Sequence, residues 1–537
     1  LTIDGTSLND DNLNVDASGD TNGTVYITAD GTGTHTVSLG AGDDTFTSVT
    51  ATATSVDNIT ATAGNNTIST GGGDDTIILG TGNDTVLAGD GDDAFQSVTA
   101  NLTAADSLNG GDGDDSIVMT DDATVIDADF TLVTNTEILT ASAATINLNA
   151  TLGALAAAAG INTVTMVDTS AANTITLGAG FTNAVTVNIA DDATAGHTVA
   201  ASAYTGVLTV AVGTDFMDAN ASTLTGGTGT SDVLTINANG TTPIMTSVTG
   251  FENINSSGAA GNITITLVDG NVAAGKAVTI DVTSLDGDVA TIDASAEADG
   301  NVTILADGTG DHQITLGQGN DTYTSTSTAG EDVTATAGNN TISTGDGADI
   351  VTSGAGVDTI TGGSGANVLI LKAMALNTTS VDVITDFTSA TWDIDIDLSD
   401  IGTLLDIKDS GDLAAADNLA FETITAAFDL GSTTANDSVL IANLAGNIAS
   451  TDALETALEF GGDLQLTSGG AITVGEKFLV AYDDGTDSYI AEVSVGVATP
   501  DDTAFGIGSL VAQNLVKLTG VADVTTLTTA NDIDVIA

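Results

Sequence analysis

Glycine and aspartate recur in this chain at a spacing that offers hard oxygen ligands to a divalent cation. Between Ala61 and Gln96 four consecutive nine-residue blocks read ATAGNNTIS, TGGGDDTII, LGTGNDTVL and AGDGDDAFQ. Glycine returns at Gly64, Gly73, Gly82 and Gly91. Two places later stand Asn66, Asp75, Asp84 and Asp93, and two further on Ile68, Ile77, Val86 and Phe95. Aspartate supplies the oxygen ligand, and glycine allows positive φ and close approach of the backbone to an ion. Single blocks recur at Leu39–Thr47 and Gly110–Val118, and a second tandem array runs from Ala335 to Ile370. The candidate metal turns of the first half are Gly40, Gly42 and Asp44; Gly64 and Asn66; Gly71, Gly73 and Asp75; Gly80, Gly82 and Asp84; Gly89, Gly91 and Asp93; and Gly111, Gly113 and Asp115. Those of the second are Gly317, Gly319 and Asp321; Gly338 and Asn340; Gly345, Gly347 and Asp349; Gly354, Gly356 and Asp358; and Gly363, Gly365 and Asn367. Asn340 and Asn367 stand where aspartate is expected, so the second array should hold metal more weakly than the first.

A nine-residue period fits neither an amphipathic helix nor a hairpin meander. It fits a winding chain in which each block gives one sharp turn and one short strand, with the aliphatic residue pointing into a narrow core. The arrays also lie inside a larger duplication. ADGTGTHTVSLGAGDDTF at Ala29–Phe46 answers ADGTGDHQITLGQGNDTY at Ala306–Tyr323, and TATAGNNTISTG occurs unchanged at Thr60–Gly71 and Thr334–Gly345. Between the copies, short Thr/Val/Ile runs such as NTVTMV and NAVTVNIA read as strands separated by Gly, Asn or Asp turns. GGTGTSDVL at Gly226–Leu234 resembles the metal beat with an extra residue. VTNTEIL (Val133–Leu139) and VTGFENI (Val248–Ile254) read as strand-plus-turn repeats, and little metal is expected there. After Leu371 the texture changes to SVDVITDF and DIDIDLSDI. A helix is expected at Ser450–Phe460, with Asp452 and Glu455 spaced as a capping box, and a hairpin at Lys477–Val493 turning at Asp483–Thr486. The expected fold is all-β: solenoid segments with a C-terminal β-rich cap. The domains are expected at 1–120 (copy 1), 121–277 (degenerate β-helix), 278–371 (copy 2) and 372–537 (cap and export region).

The chain has 73 acidic residues against 5 basic ones, a formal charge of −68. That excludes nucleic acid and anionic membrane surfaces, which are bound by Lys and Arg. A charge this large opposes compaction unless counter-ions neutralise it. An acidic surface also suits solubility in a salty medium, which leaves the glycine register unexplained. There is no cysteine, hence no disulfide and no thiolate site, and metal would take the place of covalent staples. No stretch of about 18 apolar residues occurs, so no membrane insertion is expected. The chain opens at Leu1 without a basic and apolar leader, as a mature or trimmed chain would.

Catalytic constellations are scarce, and no enzyme activity is expected. His35, His197 and His312 each follow a glycine-containing turn, and His35 and His312 occupy the same place in the two copies, so all three are expected to be structural strand residues. There is no H-E-x-x-H and no G-x-S-x-G. Acid pairs abound, so residue type alone leaves an Asp–Asp glycosidase site open. With no arginine in the chain, substrates carrying phosphate or carboxylate would lack their usual clamp.

Residues 39–118 and 316–370 resemble the bacterial RTX (repeats-in-toxin) calcium-binding family, whose nonapeptides form a right-handed parallel β-roll. The resemblance implies two nonapeptides per turn of the roll and Ca2+ between turn loops stacked on one edge. It would pair Asn66 with Asp84, Asp75 with Asp93, Asn340 with Asp358, and Asp349 with Asn367, with glycine-turn carbonyls completing each shell. The segment after Leu371 and the tail Asn531–Ala537 are similar to the export region of type I secreted proteins, implying a secreted, extracellular or cell-surface location. The whole chain looks most like RTX-type surface-layer (S-layer) proteins. That likeness implies self-assembly into a calcium-dependent homopolymer, with cell-surface polysaccharide as a further partner class. A secreted filament or matrix protein, or an RTX adhesin, remains the alternative, with an RTX enzyme behind them.

Overall fold

In a computed structural model the chain is a nearly all-β protein of stacked parallel coils. The structure describes residues 1–8, 11–48, 56–167, 172–189, 196–213, 222–237, 245–257, 261–371, 381–388, 390–397, 420–430, 438–443, 448–467, 473–497, 503–527 and 533–536. Residues 398–401 of the acidic-aliphatic segment, and Asn531, Asp532 and Ala537 of the tail, lie outside them. The chain divides into two compact units, Leu1–Ser257 and Gly258–Ala537.

Besides a third parallel sheet that runs Ala123–Ile126, Leu148–Leu152, Thr174–Leu177, Thr198–Ala200, Thr223–Thr225 and Val248–Thr249, the strands of the first unit go to two sheets. One carries Thr2–Gly5, Tyr26–Ala29, Thr45–Ser48, Thr67–Gly72, Thr85–Asp90, Ser107–Asp112 and Val133–Thr134, all parallel. The other begins at Asn14–Asp16 and His35–Ser38 and continues through Asp57–Thr60, Thr76–Ile78 and Ala94–Ser97 as far as Asn253–Ser257. Alternation along each strand sends every second residue inward, and parallel register stacks like on like. Val37, Ile59, Ile77, Phe95, Ile117, Leu139, Val164, Val187, Val210 and Leu234 form one continuous buried column. Each such side chain contributes about 1.5–3 kcal/mol by burial, and no coil could bury its member alone. Where the nonapeptides are tandem, the rise from Ile59 to Ile77 and from Ile77 to Phe95 is eighteen residues, two blocks per coil. The middle region keeps the architecture with longer coils: Leu139 pairs with Val164, twenty-five residues on.

VTNTEIL and VTGFENI adopt the same corner. Each gives a two-residue strand, Val133–Thr134 or Val248–Thr249, and then a turn through a left-handed residue, Asn135 (φ 49°) or Gly250 (φ 76°). The short helix Ala154–Ala159 was not legible in the sequence. The Asp127 carboxylate, from the coil before it, accepts the N–H groups of Gly153, Leu155 and Ala156 at its N-terminus.

The second unit repeats the coiled plan. One parallel sheet runs Ile263–Thr266, Ala290–Asp293, Gln313–Thr315, Asp332–Thr334, Ile350–Ser353, Asn367–Leu371 and Trp392–Asp397, and ends on Asp534–Ile536. Its companion sheet passes from Asp382–Ile384 to Leu510–Leu518, then antiparallel to Ser488–Val495 and Lys477–Asp483. Helix Thr451–Leu458 packs on Leu510–Leu518 and buries Thr451, Leu454, Ala457 and Leu458. Its cap differs from expectation. Ser450 accepts the Ala453 N–H at 3.2 Å, and Glu455 turns away to accept the Ala512 N–H at 2.7 Å. Burial of the helix against the strand brings unpaired strand N–H groups within reach of that carboxylate, and a buried donor binds it in preference to an exposed helix end.

Candidate metal centre

The aspartate or asparagine of each block lies immediately before a strand or, as Asn367, opens one, so parallel stacking places it over its counterpart one coil away. The structure ties these residues into columns. The N–H of Asp57 donates to Oδ1 of Asp75 at 2.6 Å, that of Asp75 to Asp93 at 2.8 Å, that of Asp93 to Asp115 at 2.8 Å, and that of Asp115 to Oε2 of Glu137 at 2.9 Å. On the opposite edge Asp44 donates to Asn66, Asn66 to Asp84 and Asp84 to Asp106, at 3.2, 3.0 and 2.8 Å. The second unit repeats both columns: Asp321 to Asn340, Asn340 to Asp358 and Asp358 to Asp382, each at 2.9 Å, and Glu331 to Asp349 to Asn367 at 2.9 and 3.2 Å. Asn66 with Asp84, Asp75 with Asp93, Asn340 with Asp358 and Asp349 with Asn367 are thus brought together across adjacent coils. One place earlier, an exposed ladder runs in the opposite sense: Asn83 donates to Asn65, Asp92 to Asp74 and Asp114 to Asp92.

The backbone ladder uses one oxygen of each carboxylate, and the fate of the other separates the sites. Oδ2 of Asp57, Asp75, Asp84, Asp93, Asp115 and Asp358 is buried and carries no hydrogen bond. By contrast, Oδ2 of Asp44 accepts the Gly40 N–H at 3.0 Å and that of Asp321 the Gly317 N–H at 2.9 Å. Oδ2 of Asp349 accepts the Thr344 hydroxyl at 2.6 Å. A buried, unpartnered carboxylate oxygen is costly unless a cation or proton meets it. Burial accordingly pushes Asp75 and Asp115 up to about 6 and Asp93 up to about 8, with neighbouring carboxylates adding to the shift. Burial raises Asp57, Asp84, Asp321, Asp349 and Asp358 as well.

The glycines bring backbone carbonyls into the same turns. At Gly82 φ is +135°, and a Cβ would fall against the carbonyl oxygen of Gly64; at Gly91 (φ +133°) it would strike that of Gly73. Gly64, Gly71, Gly73, Gly89, Gly111, Gly113, Gly338, Gly345, Gly347, Gly356, Gly363 and Gly365 likewise have positive φ. Gly40, Gly42, Gly80, Gly317, Gly319 and Gly354 do not, so at these places glycine answers a close approach of the backbone rather than φ. There a Cβ would press on the preceding coil, against Asp20 and Glu297 carbonyls at Gly40 and Gly317. Hard carboxylate and carbonyl oxygens converging on a buried turn are a donor set that suits calcium. Asp75, Asp93 and Asp115 on one edge, Asp84 on the other and Asp358 in the second unit would hold it with the glycine carbonyls, and the ion would neutralise the stacked carboxylates.

Asp57, Asp106, Glu137, Glu331 and Asp382 belong to these columns, and the sequence reading missed them because their turns lack the glycines. A signal existed: each stands two residues before a core aliphatic, Ile59, Leu108, Leu139, Val333 and Ile384, the same offset as in the nonapeptide. The three histidines occupy this position too. His312 Nδ1 accepts the Ala290 N–H at 3.0 Å, His197 Nδ1 the Asn173 N–H at 3.2 Å, and His35 Nδ1 lies 2.8 Å from Asp57 Oδ1. Asp232 of the irregular block is also in a column, but its Oδ2 takes the Gly227 N–H at 2.5 Å.

A family model, the RTX calcium-binding nonapeptide repeat, matches residues 60–95, 103–118 and 334–369. No curated protein and no solved structure matches the chain. The matched residues are those whose carboxylates and glycines stack in the columns above, so the chain carries segments similar to the RTX calcium-binding nonapeptide repeat, wound into parallel β-solenoid coils.

Proposed function

We propose that the chain is a secreted, non-enzymatic structural protein that calcium folds and then joins to copies of itself in a surface layer. The observation that carries the proposal is the column of buried carboxylates whose second oxygens have no hydrogen bond. Such a column is unfavourable without a cation and rigid with one. Outside it lie the exposed acids Asp74, Asp92 and Asp114, part of a net charge of −68. Copies with this charge repel one another across the Debye length, about 8 Å at physiological ionic strength. A divalent ion can bridge carboxylates of two copies, whereas sodium only screens them. The non-enzymatic reading is supported by the histidines, each engaged through Nδ1 in or beside the ladders. Secretion is supported by the RTX repeats themselves. Among the described residues no helix is long and apolar enough to cross a membrane.

Light scattering during calcium titration, followed by electron microscopy, tests assembly. Ordered sheets in millimolar calcium, absent in sodium chloride of matched ionic strength, are expected. A chain that stays monomeric in calcium at high concentration would overturn the surface-layer reading in favour of an adhesin or an enzyme.

A further inference from the structure

The second unit holds a group of carboxylates outside every nonapeptide. Turn 267–276, between strands Ile263–Thr266 and Ala277–Asp281, stacks on turn 294–300, between Ala290–Asp293 and Asn301–Ala306. The stacking is tied by the Leu267 N–H to the Asp293 carbonyl at 2.8 Å and the Gly275 N–H to the Asp299 carbonyl at 3.1 Å. It brings one oxygen from each of Asp269, Glu297 and Asp299 within 4.8 Å of the others, the one such group of three among the described residues. Oxygens sharing a calcium shell at about 2.3–2.6 Å lie no more than about 5 Å apart.

A second observation points to a ligand. Glu297 is 0 % exposed, and its Oε1 accepts the N–H groups of Gly300 and Asp299 at 3.0 and 3.4 Å. Its Oε2 is buried with no hydrogen-bond partner. None of the three carboxylates forms an ion pair with a described residue. Asp269 and Asp299 are exposed, so solvent can supply further ligands at the rim. Asp269 is oriented by the Ala298 N–H, which donates to its Oδ1 at 3.2 Å. We propose that Asp269, Glu297 and Asp299 form a calcium site one coil before the Gly317–Asp321 block, extending the metal-bearing edge past the glycine beat. Gly317 packs directly on that coil, a Cβ there lying 2.7 Å from the Glu297 carbonyl oxygen. The duplicated first copy serves as an internal control. Asp20 and Asn22 stand at the places of Glu297 and Asp299; Asp20 is half-buried, and its Oδ1 accepts the Gly23 and Asn22 N–H groups. Of the two carboxylates on this turn, the first copy keeps one.

The proposal does not depend on the nonapeptides, and the test separates the two. Bound calcium is counted by equilibrium dialysis and elemental analysis on the full chain, on Asp269→Asn/Asp299→Asn, and on Asp75→Asn/Asp93→Asn. The first variant should bind one ion fewer than the parent, and combining the two should lose the sum. Asparagine at 269 keeps an acceptor for Ala298, so the backbone tie is preserved. An unchanged count in Asp269→Asn/Asp299→Asn at 10 mM calcium overturns the proposal. A loss there with none in Asp75→Asn/Asp93→Asn keeps it while overturning the nonapeptide assignment. If the variant fails to fold, hydrogen exchange on the parent chain decides: calcium should slow exchange in 267–276 and 294–300, and unchanged exchange in both turns overturns the site.

Discussion

The N–H of Asp75 donates to Oδ1 of Asp93 one coil further on, at 2.8 Å, while Oδ2 of each residue is buried without a partner. One carboxylate oxygen builds the solenoid, and the other waits for a charge. This division makes the nonapeptide both a structural rung and a ligand, and it sets opposite demands on Asp93 with and without calcium.

Asp93→Asn should therefore change sign with metal. Asparagine keeps the Oδ1 acceptor, as Asn66 and Asn340 do in their columns, and removes a carboxyl group whose burial the metal-free fold must offset by taking up a proton. In chelator it should stabilise the fold by about 1–3 kcal/mol. In ~10 mM calcium, loss of one site with a dissociation constant near ~0.1 mM should destabilise by about 2.7 kcal/mol. Urea midpoints in EDTA and in calcium read both effects, and a shift of the same sign in both media contradicts the two-oxygen account.

Acid should strengthen the metal-free fold. Burial raises Asp75 and Asp115 to about 6 and Asp93 to about 8, above the ordinary value of 3.8. Between those limits the folded state binds more protons than the unfolded chain, so stability is greatest at the acid end and falls as pH rises from about 4 to about 8. Protons compete with calcium for the same oxygens, so calcium affinity should fall as pH drops. Thermal melts in EDTA at pH 5 and pH 8, with calcium titrations at both, check the pair of slopes. Greater stability at pH 8 in EDTA counts against it.

The first array should bind calcium more tightly than the second. Unpartnered Oδ2 atoms occur at Asp75, Asp84 and Asp93 in the first, and at Asp115 in the block that follows it, but at Asp358 alone among the second array's ligand positions. Calorimetry on the full chain should show that Asp75→Asn/Asp93→Asn removes the tightest binding phase and that Asp349→Asn/Asp358→Asn removes a weaker one. The reverse order would mean that glycine carbonyls dominate affinity.

Glu459 should matter equally with and without calcium. Its carboxylate accepts the N–H groups of Gly508 and Leu510 at 2.7 and 2.9 Å, fastening the loop and strand beside helix Thr451–Leu458. Glu459→Ala leaves these donors unmet, at a cost of about 1–3 kcal/mol. Melts in EDTA and in calcium should both fall, and an effect confined to calcium would link the helix to metal binding.

The sequence by itself determined the coil. A nine-residue beat places a glycine, an oxygen ligand and a core aliphatic at fixed offsets, and a parallel winding at two blocks per coil must then stack Ile68 on Val86 and Ile77 on Phe95. Repetition made that legible, because a local pattern copied many times specifies its own neighbours. Only the tertiary structure decided which carboxylates keep a free oxygen. Asp44 and Asp93 have the same place in the beat, yet the Gly40 N–H reaches Oδ2 of Asp44 and no donor reaches that of Asp93. Columns entered without glycine, through Asp57, Glu137 or Glu331, and the group at Asp269, Glu297 and Asp299 were equally hidden. Their members come from coils about twenty to thirty residues apart, and their burial depends on how one turn lies upon the next.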